Sequence, residues 1–160
     1  MPISTDAVLT LADLTALTGL DVLDHLEREV AVPVVAGLQA QGDLIVVPQS
    51  FLETVTPTPF GYSRWLDVPA AGLELLRSAG GGNPHSLVAD PGACRWTDAI
   101  HDPTGLALGL IDATAVAYLI HPEHGATGIA PGRYVVRRQR ERGTGFGMVP
   151  GRSMNRMVCD

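Results

Sequence analysis

Apolar residues recur at helical spacing only near the start of the chain. Leu11, Leu14 and Leu17 share one face, Thr10 and Asp13 are placed to cap it, and Gly19 stops it. Asp21 then offers a second cap before Val22, Leu23 and Leu26, which predicts another short helix with His25 at its surface and Pro33 at its end. Beyond that point the period changes. "DLIVVP", Asp43 to Pro48, is a continuous apolar run of strand length, entered from a Gln41-Gly42 turn and stopped by a proline. "TPTPFGYSRW" reads as a proline-broken, extended loop packed by Phe60, Tyr62 and Trp65, and Leu73–Arg77 as a single helical turn before three glycines. "HSLVAD" and "ACRWTD" predict short strands around an Asp90-Pro91-Gly92 turn. "GLALGLI" and "AVAYLI", joined at Asp112-Ala113-Thr114, predict a hairpin, and "GRYVVRRQ" the third strand of a meander.

The expected architecture is therefore mainly β: a small β-barrel or β-sandwich of roughly six to eight strands with an N-terminal helical segment. Residues 1–32 form that segment, 33–142 the β-domain, and 143–160, glycine-rich and without period, an arm that is flexible alone or ordered on a partner. Composition supports the division. A hydrophobic content of 46% in 160 residues supplies a real core, and 18 glycines with 12 prolines favour short strands joined by turns.

Charge adds a polarity that the apolar pattern does not show. Lysine is absent, so every fixed cation is an arginine. Residues 1–132 hold fifteen acids and four arginines, a net −11, whereas 133–160 hold seven arginines and two acids, a net +5. An acidic body with a basic end can pair with itself, with a neighbouring subunit or with another anionic surface. Cys94 and Cys159 make no motif and read as reduced thiols. The N-terminus lacks a basic signal-peptide region and no apolar run reaches membrane-spanning length. The expectation is a soluble, cytoplasmic protein with no membrane partner.

Candidate chemistry centres on "HPEHG", residues 121–125. His121 and His124 at i,i+3 in one tight turn can share a divalent metal, with a third nitrogen from His85 or His101 and Glu123 as base. The competing reading is a structural turn needing no cofactor. Pro122 fixes the backbone, Gly125 supplies a positive φ, and each histidine bonds a backbone group, since zinc helices normally use i,i+4. His85 and His101 stand at turn-strand junctions, where a histidine often simply bonds the main chain. "GGGNPH" lacks P-loop residues, G-x-S-x-G is absent, and no carboxylate pair stands out as a glycosidase acid and base. On a strand, Tyr134, Val136, Arg138 and Arg140 share one face and Val135, Arg137 and Gln139 the other. Arg133, Arg137, Arg138, Arg140 and Arg142 can then grip an anion or a partner, or blunt an exposed edge, while the acidic remainder argues against nucleic acid.

The Gln41-Gly42-Asp43 strand start, the Gly82-Asn83-Pro84-His85 segment and the ending "HPEHG … PGRYVVRRQRE" resemble a family of small, uncharacterised bacterial and phage-associated proteins. The resemblance spans roughly 41–142 and departs at Asn83, where the family's Gly-His-x-His pattern has its first histidine. It implies a compact β-domain and leaves activity open. The leading expectation is a non-catalytic interaction or assembly domain, self-associating or part of a larger, phage-like particle. The alternative is a cupin-like metal-binding domain or metalloenzyme built on His121, His124 and His85 or His101.

Overall fold

The computed structural model describes residues 2–3, 8–59, 64–77, 82–142 and 155–157. The chain opens with α1, Leu11–Thr18, closed at its start by a reciprocal Thr10–Asp13 capping box and at its end by Gly19 in the left-handed region. The second helix does not form. Residues 21–30 are turns and bends with His25 exposed, and their backbone bonds run to other segments: Leu23 N–H to Pro122, and Ala12 N–H to the Arg28 carbonyl. Tertiary partners outcompete an i→i−4 ladder here, as short isolated helices are marginal.

Thirteen strands follow in the body: β1 Val34–Val35, β2 Gln39–Gln41, β3 Leu44–Pro48, β4 Thr56–Pro57, β5 Leu66–Asp67, β6 Leu73–Arg77, β7 Pro84–Val88, β8 Cys94–Thr97, β9 Ile100–His101, β10 Ala107–Ala113, β11 Ala117–His121, β12 Gly125–Ile129 and β13 Gly132–Arg138. Two more, β14 Arg140–Arg142 and β15 Asn155–Met157, pair antiparallel. Of the arm expected at 143–160, only 155–157 is described; 143–154 and 158–160 lie outside the described residues, as do Phe60 and Tyr62. Leu73–Arg77 is likewise a strand and not a helical turn, since it ladders with β7.

Two open sheets carry the domain, ordered β1-β12-β11-β7-β6 and β2-β3-β13-β10-β8-β5, so it is a sandwich and not a closed barrel. Leu76, Leu87, Leu119 and Ile129 of the first sheet meet Val46, Trp96, Ile111, Tyr134 and Val136 of the second in the main core. The outer face of the first sheet is covered as well. Leu9, Leu11 and Leu14 pack on Val88, Tyr118 and Ile120. Outside the second sheet, Val55 joins Leu110 and Val135.

The predicted hairpin and meander are both overturned. β10 pairs with β13 and β8, whereas β11 pairs with β12 and β7, so two strands adjacent in sequence belong to opposite sheets. Each has two neighbours and two covered faces, which accounts for its continuous apolar run. The three linking residues 114–116 span about 10 Å when extended, the spacing of packed sheets. β13 then returns to the second sheet. At the first sheet's edge, Gly128 lets β1 approach closely: a Cβ there would lie 2.7 Å from a Val34 methyl and 3.0 Å from the Pro33 carbonyl oxygen.

Candidate functional site

Three separate sequence motifs meet at one end of the sandwich. His85 lies inside β7 and His121 ends β11, each 2% exposed, while Glu123 and His124 stand exposed in the turn to β12. Ring centroids are 4.3 Å apart for His85–His121 and 4.5 Å for His121–His124; His85 and His124 are 6.4 Å apart and nearly parallel. Gln41 and Asp43, on either side of the Gly42 turn, reach in from the second sheet, both buried. Asn83 donates to the Glu123 carboxylate at 3.1 Å.

Hydrogen positions follow from the partners. Gln41 Nε2 donates to the Leu119 carbonyl at 3.0 Å and points to that of Gly125 at 3.5 Å, which turns Oε1 toward His85 Nδ1 at 3.2 Å. His85 Nε2 faces Asp43 Oδ1 at 2.9 Å. Both ring nitrogens of His85 thus meet oxygen atoms of buried side chains. Asp43 Oδ2 is buried without a hydrogen-bond partner among the described residues. His121 is opposite in character. Its Nδ1 accepts the Glu123 N–H at 3.1 Å, and the ring also bonds the Asn83 backbone. Burial first, then the charges of His85 and His124, hold its pKa below the ordinary imidazole value, against opposing contributions from Glu123 and Asn83.

The arrangement works as a clamp between sheets. Gln41 of β2 ties to β11 and β12, and Gln39, two residues earlier, donates to the Gly128 carbonyl of β12 at 3.2 Å. His121 closes its own turn, with Gly125 at φ 79° completing it. His85, read from the sequence as a turn-strand junction residue, stands second in β7 and bonds the Gln41 and Asp43 side chains.

A divalent ion has a partial cradle here. His121, Glu123 and His124 each offer a ligand atom, all within 4.8 Å of one another. Ligation takes a lone pair, however, and in His121 the Nδ1 lone pair already receives an N–H. A metal at His121 requires that bond or the Asn83 bond to break. His101 stands apart from the three histidines, exposed on β9, paired with Thr56 of β4.

The arginines separate. Arg133 bonds Asp112 at 3.4 Å beside Arg95, which reaches the same oxygen at 2.8 Å, and both guanidiniums lie near the Trp65 ring. Arg137 and Arg138, half-buried, lie at the far end of β13; Arg140 and Arg142 belong to β14. Burial, then Asp112, pushes the Cys94 thiol up to about 12, which keeps it from thiolate chemistry. Gln41, Asp43 and Asn83 escaped assignment as site residues because their partners are distant in sequence, although the motifs containing them were visible. Arg133 was a candidate from the sequence, but its grouping with Asp112 and Arg95 had no sequence signal, since the three are cross-strand neighbours.

No curated protein and no solved structure matches the chain. Residues 40–139 match the family described as Domain of unknown function (DUF8820), and that stretch contains every member of the clamp except Gln39. With well over half of its 160 residues inside the match, the chain belongs to DUF8820.

Proposed function

We propose that this chain is a non-catalytic interaction domain that assembles through its surface, as a subunit of a homo-oligomer or of a larger particle. One observation carries the reading: Val30, Val34 and Leu38 are 60%, 47% and 63% exposed along a single stretch that includes the edge strand β1 and leads into the edge strand β2. Apolar side chains at open sheet edges are where a second chain gains most by docking. The histidine clamp supports the same reading, since its hydrogen bonds serve the chain's own turns and sheets. No helix among the described residues is long and apolar enough to cross a membrane; we place the domain in the cytoplasm, where the free Cys94 stays reduced.

Native mass measured across a concentration series tests the reading. The expected result is a species heavier than one chain that dissociates on dilution. A single-chain mass at every concentration would sink self-assembly. The second reading, a divalent-metal site, rests on the 4.8 Å grouping of His121, Glu123 and His124. Elemental analysis of untagged protein decides it: about one metal per chain, lost in His124→Gln, favours metal over clamp.

A further inference from the structure

The exposed apolar stretch has oppositely charged ends. Before it, residues 21–30 expose Asp21, Asp24, Glu27 and Glu29, with Arg28 the sole arginine among them and already near Asp24 at 3.7 Å. Beyond it, Leu38 joins Ile45, Val47 and Leu106 in the floor of a cavity of ≈ 340 Å³ that Arg137 and Arg138 also line. Along the chain, acidic residues thus give way to exposed apolar ones and then to a cavity lined by arginines. Such an order is self-complementary under a two-fold rotation. A second copy laid antiparallel brings acid to base twice and the apolar centre onto itself.

We propose that this surface is an isologous dimer interface whose occupant is a second copy of this chain. Residues 21–30 of each copy face Arg137 at that cavity of the other, and Val30, Val34 and Leu38 pack about the axis. The proposal rests on the self-assembly reading above and specifies its surface. With a net charge of −6, copies repel at long range, so only a register that matches the local charges is favourable.

Sedimentation velocity on four proteins tests it: wild type, Glu29→Arg, Arg137→Glu and Leu38→Asp. Wild type is expected to dimerise, each variant to raise the dissociation constant roughly tenfold or more, and an equimolar mixture of Glu29→Arg with Arg137→Glu to recover the dimer as a heterodimer. Recovery on mixing also shows that both variants are folded. A wild-type dimer indifferent to all three changes overturns this surface and leaves self-assembly standing. Loss in the variants without recovery on mixing overturns the charge pairing. A monomeric wild type overturns both.

Discussion

His121 shows how far one side chain's state depends on its neighbours. Its Nδ1 must stay unprotonated to accept the Glu123 N–H, and burial with two nearby histidines favours that form. A pKa lowered in the folded state gives stability that is present above the unfolded value, about 6.5. As pH falls below that value the unfolded chain binds the proton first, and the stability is lost on the way down to the lowered folded value. Urea midpoints measured from pH 8 to 5 should therefore fall for wild type, and fall less steeply for His121→Gln. Parallel curves would show that His121 carries no such linkage. Of this site, the His-Pro-Glu-His turn and its Gly125 corner were legible in sequence. The ring's hydrogen-bond partner at Asn83, 38 positions away, was not, and His85 was named beside His121 only as an alternative to His101, which the structure places apart.

Among elements, α1 was readable from its cap, its leucine period and its glycine stop, all local signals. The segment after it carries comparable signals and is not helical, since its backbone groups are taken by Pro122, Ala12 and Thr10–Ala31 bonding. α1 itself contributes by covering the first sheet. Leu14 is fully buried there against a cluster that includes Tyr118 and Ile120. Leu14→Ala should cost about 2–5 kcal/mol in denaturant unfolding. A change below about 0.5 kcal/mol, the scale of surface substitutions, would mean that the N-terminal segment does not stabilise the β-domain.

For the whole molecule, the two sheets, the covering N-terminal segment and the outer cluster share strands, which predicts one cooperative unit. Trp96 sits in the main core and Trp65 packs against the cluster on the other side of the same sheet. In Trp65→Phe, fluorescence reports Trp96 alone. Its thermal midpoint should coincide with that of far-UV circular dichroism, and wild-type fluorescence should give the same midpoint. Separated midpoints would divide the fold into independently melting layers.

The division between sequence and tertiary structure is physical. Turn residues, caps and apolar runs act over a few positions, so the mainly β class, α1 and the strands Leu44–Pro48, Pro84–Val88 and Gly132–Arg138 could be anticipated from the chain alone. A continuous apolar run reports burial on both faces but carries no address for its partner. Ala107–Ala113 and Ala117–His121 thus looked like a hairpin, and packing sent them to opposite sheets. The same holds for the clamp. Gln41 reaches Leu119, 78 positions away, because two sheets stack there, and only closing the sandwich turns three motifs into one site.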